Sequence, residues 1–154
     1  MIVTFFYQGY YKLEPKIFKF EKCRADMEPL EIAENVYWVG VIDWDERDFH
    51  GFDIIRGATY NAYLIVDEKI TLVDTVKHKF FNEMIERVRK VVEPEKIDYI
   101  IANHIEPDHS GSLANMKRIA KDAIIVSTHR GKDGIEKLFN KEKWDFKVVK
   151  TGRA

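Results

Sequence analysis

The apolar positions change period along the chain. From Asn35, "NVYWVGVI" is β-branched and aromatic and predicts a strand. "DWDERDFHGFDIIRG" follows as a polar, glycine-punctuated loop with embedded aromatics. "TYNAYLIV" and "ITLVDTV" are two further strands, joined by the turn "DEK" into a hairpin. Over "HKFFNEMIERVRKVV" the spacing lengthens. Phe80, Phe81, Met84, Ile85, Val88, Val91 and Val92 recur at helical intervals, and Pro94 lies just beyond, where a stop belongs. Then come a short buried strand in "IDYIIANH" and a short helix in "SLANMKRIAK", with Ser110 or Ser112 as its N-cap. "AIIVS" reads as a strand, "THRGKDGIEKLFN" as a helix weakened by Gly131 and Gly134, and "WDFKVVKTG" as a last strand. Strands that lead with a hairpin and then alternate with helices predict a mixed α/β (α+β) layered fold.

A chain of 154 residues makes one domain of ordinary globular composition, with 45% hydrophobic and 33% charged residues. The charges nearly cancel, 25 basic against 26 acidic, so no basic stripe calls for nucleic acid. Cys23 is the only cysteine, which rules out an internal disulfide and any cysteine-built zinc or iron–sulfur site. The first 26 residues are aromatic-rich and then basic. Residues 1–27 read as an extension or an opening strand, with Met27 an alternative start, and residues 28–154 as the domain. The N-terminus is a poor signal peptide, and no apolar run approaches the roughly 20 residues of a membrane span. The expected location is cytoplasmic.

The chemistry concentrates in "IIANHIEPDHSGSL", residues 100 to 113. His104, Glu106, Asp108 and His109 follow directly on a predicted strand. If the extended geometry persists, His104 and Glu106 point to one side. Pro107 stiffens the turn, and the adjacent Asp108 and His109 are expected to diverge. Two pairs of ligands aimed apart suit two metals in one pocket. Imidazoles and carboxylates without thiolate suit iron or manganese, and also zinc.

The pattern H-x-E-x-D-H in this setting resembles the metallo-β-lactamase-like domain of the flavodiiron proteins, or A-type flavoproteins. Hydrolases of that superfamily usually carry H-x-H-x-D-H and bind zinc, and Glu106 in place of the second histidine is the flavodiiron mark. "ENVYWVGVIDWDERDFHGF", "RGATYNAYLIVDEKITLVDTV", "IDYIIANHIEPDHSGSL" and "WDFKVVKTG" agree in order, so the resemblance covers residues 28 to 152. It implies the first half of an αββα sandwich, a mixed sheet with helices packed on one face. It implies that His104 and Glu106 bind one iron, and Asp108 and His109 the other. It implies that Asp74, closing "TLVD", orients a ligand without touching the metal, and that His50 in "DFHGF" faces the substrate pocket as the catalytic candidate. The implied activity is reduction of dioxygen to water or of nitric oxide to nitrous oxide. Electrons arrive through FMN in a flavodoxin-like domain from a rubredoxin-like donor, in a head-to-tail dimer.

The chain departs from that pattern after "VVKTG". The family's later ligands (a histidine for each iron and a bridging aspartate) and its FMN-binding loop have no counterpart here. The expectation is a truncated domain, inactive alone, completed by a second chain and presenting an apolar sheet face. A metal-dependent hydrolase of the same superfamily and a non-catalytic remnant or interaction module are the rival readings.

Overall fold

The computed structural model describes residues 28–49, 51–140 and 143–150. Its elements in chain order are β1 (Leu30–Ala33), β2 (Val36–Trp38), β3 (Val41–Asp43), β4 (Asp48–Phe49), β5 (Phe52–Asp53), β6 (Ala58–Tyr60), β7 (Tyr63–Ile65) and β8 (Thr71–Val73). Then follow α1 (Phe81–Arg89), β9 (Tyr99–Ile101), α2 (Pro107–Ser110), α3 (Leu113–Ile119), β10 (Ile124–Ser127), α4 (His129–Leu138) and β11 (Phe146–Val148). Seven strands form one sheet in the order β1-β2-β7-β8-β9-β10-β11. The first four are antiparallel, and β8, β9, β10 and β11 are parallel. The expected α+β fold, a mixed sheet with helices on one face, is therefore what the chain adopts.

The hairpin expected around the turn "DEK" forms as β7–β8, with Leu64 opposite Leu72, and the strand expected over "TYNAYLIV" is divided into β6 and β7. The single strand expected over 35–42 is divided into β2 and β3. The division is a bend in a continuous ribbon. Trp38 faces Tyr63, Val39 N–H donates to the Ala62 carbonyl at 2.9 Å, and Val41 faces Tyr60, all in one register. Gly40 sits at the bend, where a Cβ would run into the carbonyl oxygen of Tyr60. Beyond it β3 and β6 leave the main sheet as a two-stranded arm.

The core lies on one face of the sheet. Leu64, Leu72, Ile100 and Ile125 are aligned across four neighbouring strands, and all are fully buried. Met84, Ile85 and Val88 of α1, Leu113 and Met116 of α3, and Ile135 of α4 join the same cluster. Truncating any one of the leucines or isoleucines to alanine costs about 2–5 kcal/mol. On the opposite face the aligned Tyr63, Val73, Ile101 and Val126 are half-buried. The helix expected over 78–92 is shorter: a 3-10 turn at His78–Phe80 opens α1, which ends at Arg89. Its charges suit the helix dipole, with Glu83 in the first turn and Arg87 and Arg89 in the last. The glycines of α4 do not break it. Thr128 caps it by accepting from Gly131 N–H at 3.1 Å, and at Gly134 a Cβ would press on Ile105 Cδ1 at 2.7 Å. Their lack of a side chain lets α4 lie close to β10 and to the loop after β9.

Candidate metal centre

Strands β8, β9 and β10 run parallel, so their C-terminal ends meet along one edge, where open α/β sheets present binding loops. Asp74 follows β8 and donates its N–H to the Ile101 carbonyl at 2.8 Å. Its φ of 56° lies in the left-handed region, where aspartate is enriched among non-glycine residues. That turn carries its carboxylate across to the loop after β9. There Oδ1 accepts from Asn103 N–H at 2.8 Å and Oδ2 lies 3.1 Å from His109 Nδ1. A carboxylate only accepts, so Nδ1 is the donor and the imidazole lone pair sits on Nε2.

The four motif side chains arise from two local structures. The strand stops at Ile101, and His104 lies on the loop, where its Nδ1 accepts from Ile105 N–H at 3.0 Å. Its Nε2 lies 3.8 Å from Glu106 Oε1. Glu106 is extended, with φ −65° and ψ 153°, as a residue before proline prefers. Pro107 then opens α2 at its first position. Ser110 holds the turn shut, its hydroxyl donating to the Ile105 carbonyl at 2.7 Å. On that turn Asp108 and His109 do not diverge: His109 Nε2 comes within 3.4 Å of Asp108 Oδ2. The rings of His104 and His109 stack with centroids 5.3 Å apart, so the two pairs face each other rather than aim apart. The reason is the helical turn, which replaces the extended geometry from which divergence was expected. Exposure is graded. The side chains of His104 and Glu106 are 52% and 42% exposed, and those of His109 and Asp108 30% and 12%.

These residues fit an ion of the iron, manganese and zinc group by donor type. The 3.4 Å between His109 Nε2 and Asp108 Oδ2 exceeds the roughly 2.7–2.9 Å of a charge-assisted hydrogen bond. It is the spacing of two atoms that share one ion with bonds of about 2.0–2.2 Å. Among the described residues no three His, Cys, Asp or Glu side chains converge into one ligand group. The fit is thus two pairs, each short of a full shell. His50 lies outside the described residues, as do Cys23, Met27 and the whole stretch 1–27.

Sequence reasoning passed over two residues that shape this centre: Asn103 ties its backbone to Asp74, and Thr75 binds the His109 carbonyl. Ser110, an N-cap candidate in the sequence, instead closes the turn. The available signal was a pair of polar residues, Asp74 and Thr75, ending an apolar strand. Ser112 occupies the N-cap position of α3, but its hydroxyl approaches the Lys77 carbonyl at 3.4 Å instead of capping. Among the described residues no helix is long and apolar enough to cross a membrane.

Comparison with known proteins identifies the family. The family described as "ODP family beta lactamase" matches residues 58–150. An uncharacterised protein of Methanocaldococcus jannaschii is 46% identical over 123 residues, covering 80% of this chain and 31% of that protein. A nitric oxide reductase of Moorella thermoacetica is 41% identical over 129 residues, covering 82% of this chain and 32% of that protein. The solved rubredoxin:oxygen oxidoreductase of Desulfovibrio gigas superposes with a TM-score of 0.78 at 38% identity, covering 82% of this chain and 32% of the other. The chain therefore spans about a third of the length of the relatives it matches. It belongs to the ODP family of β-lactamase-like proteins and is homologous to the flavodiiron proteins.

Proposed function

We infer that this chain carries the front part of a flavodiiron oxidoreductase centre that reduces dioxygen to water or nitric oxide to nitrous oxide. The observation that carries the reading is the pairing of His109 and Asp108 at 3.4 Å, with His109 Nδ1 held by Asp74 at 3.1 Å. Asp74 fixes the tautomer and the direction of the imidazole, so Nε2 faces outward as a ligand. His104 and Glu106 make a second, more exposed pair for a second ion. Iron bound there supplies the redox couple at which the gas is reduced. The chain's own contribution is orientation. Pro107 sets the start of α2, Ser110 pins the 105–106 carbonyls, and Asp74 joins the ends of β8 and β9. His50 is assigned to the substrate side of the pocket.

Among the described residues each pair lacks the further ligands of a closed site, so a second chain or a further segment completes both shells. FMN in a flavodoxin-like domain and a rubredoxin-like carrier would bring the electrons. Glu106, at the position where zinc hydrolases of the superfamily usually have histidine, weighs against hydrolysis.

The test is metal analysis of the chain purified and loaded with ferrous iron under anaerobic conditions. One to two irons per chain are expected, with the iron of the His109–Asp108 pair lost in His109→Ala. Iron below about 0.1 per chain, or an iron content unchanged in His109→Ala, would overturn the reading.

A further inference from the structure

A buried hydroxyl on the segment after β8 also holds the loop that carries the candidate ligands. Thr75 follows Asp74 and is 1% exposed. Its N–H donates to the His109 carbonyl at 2.7 Å, and its Oγ1 donates to the same carbonyl at 2.7 Å. Oγ1 also accepts from Ser112 N–H at 3.3 Å. Donor and acceptor capacity of the hydroxyl are thus both used, one on the ligand residue and one on the residue that opens α3. The two backbones come close where this happens. A Cβ on Gly111 would lie 2.9 Å from His78 N and would strike the Pro107 carbonyl oxygen. The segment 74–78 and the turn 107–112 are therefore packed backbone to backbone, and the buried Thr75 side chain joins them beside the Asp74–His109 and Ser112–Lys77 contacts.

We propose that Thr75 is a positioning residue for the metal centre. Its hydroxyl fixes the His109 backbone while the neighbouring Asp74 fixes the His109 ring, so two consecutive residues hold one ligand at both ends. The inference rests on the metal-binding reading above. A valine has the shape of threonine and keeps the N–H bond to His109, but it drops the second donor on the carbonyl and leaves Ser112 N–H without its acceptor. A serine keeps both.

The experiment compares wild type, Thr75→Val, Thr75→Ser and Thr75→Ala in the full chain, with two readouts. The first is amide exchange in the metal-free protein. Protection of the Ser112 amide should fall about tenfold or more in the valine variant and return in the serine variant, because an amide without a partner opens more readily. The second is ferrous-iron affinity measured anaerobically against a competing chelator. The valine variant should lose about tenfold or more, with serine close to wild type and an unfolding midpoint that does not account for the loss. A merely structural threonine would change the midpoint but not the affinity of the folded fraction. If Thr75→Val does not fold, Thr75→Ala takes its place in both readouts. Unchanged Ser112 exchange, or affinity equal to wild type in the folded variant, overturns the proposal. If wild type itself binds no ferrous iron, the metal reading and the positioning role built on it both fall, and the exchange data then report only a structural staple.

Discussion

Around Tyr60, two carboxylates are satisfied within the chain. On the 104–109 loop, two carboxylates and two imidazoles lie beside one another without hydrogen-bonding as pairs. Asp43 Oδ2 sits 2.9 Å from the Tyr60 hydroxyl and 2.7 Å from Lys79 Nζ, and its Oδ1 accepts from Asp45 N–H at 3.2 Å. Glu46 Oε2 lies 3.0 Å from the same hydroxyl and 2.5 Å from Lys77 Nζ. One phenolic proton is shared between two anions, and two lysines neutralise them. Burial pushes the Tyr60 phenol far above its ordinary range, and the two carboxylates push it further. At the loop the corresponding separations are 3.8 Å for His104 with Glu106 and 3.4 Å for His109 with Asp108. Both exceed hydrogen-bond length. The first cluster is closed and structural, tying the β3–β6 arm to the segment after β8. The second holds ligand-grade atoms near one another at separations longer than a hydrogen bond.

If that contrast is right, the largest effect of any single change at the loop falls on metal affinity. Asp74→Ala releases the His109 ring and the Asn103 amide together. It should cost about 10–100-fold in ferrous-iron affinity, the usual penalty for losing a partner that orients a ligand. Tyr60→Phe should leave that affinity within about twofold. Chelator competition on the two variants side by side measures the ratio. Equal losses in both would mean that the clusters are one functional unit and that the contrast is false.

The next effect is on stability, and the order reverses. Tyr60→Phe removes the donor shared by Asp43 and Glu46 in a buried setting, which costs about 1–3 kcal/mol. Urea unfolding of the metal-free chain reads it as a lower midpoint at unchanged slope. Asp74→Ala should destabilise the metal-free chain as well, through the lost Asn103 bond, so the discriminating quantity is affinity relative to stability. A Tyr60→Phe protein as stable as wild type would show that the lysines alone satisfy the two carboxylates.

The same contrast explains what the sequence made legible. Residues contiguous in the chain could be read. The two apolar runs around the turn "DEK" gave the β7–β8 hairpin, the helical spacing through Met84, Ile85 and Val88 gave α1, and the block from His104 to His109 gave the candidate ligands. Residues brought together by tertiary folding could not. Asp43, Glu46, Tyr60, Lys77 and Lys79 are scattered through a loop, two strands and a turn, and each alone looks like ordinary surface charge or core aromatic. The direction of Asp108 and His109 was misjudged for a local reason. Extended geometry was carried past Ile101, whereas Pro107 starts a helical turn that brings the two side chains together. Gly131 and Gly134 were read as weakness in a helix. Their reason lies in what packs against α4, a fact no local window contains.

The smallest effect is one of pH, and it belongs to the closed cluster. Burial acts to raise the Asp43 carboxyl, but hydrogen bonds from Lys79, Tyr60 and the Asp45 amide outweigh it and hold the group below its ordinary value. The folded state thus binds this proton less readily than the unfolded state does. Stability from Asp43 is therefore present in full above the unfolded aspartate pKa, about 3.9, and is lost as pH falls through the depressed folded value. Asp43→Asn has no such proton to bind. It should be less stable than wild type at neutral pH, and the gap between the two urea midpoints should narrow as pH falls from about 5 to about 2. Glu46 is also held low by Lys77 and Tyr60, and removing the Asp43 charge, which acts to raise it, offsets the narrowing only in small part. A gap that stays constant across that range would mean the Asp43 carboxylate is not stabilised by its partners. The closed cluster would then be no more settled than the open one.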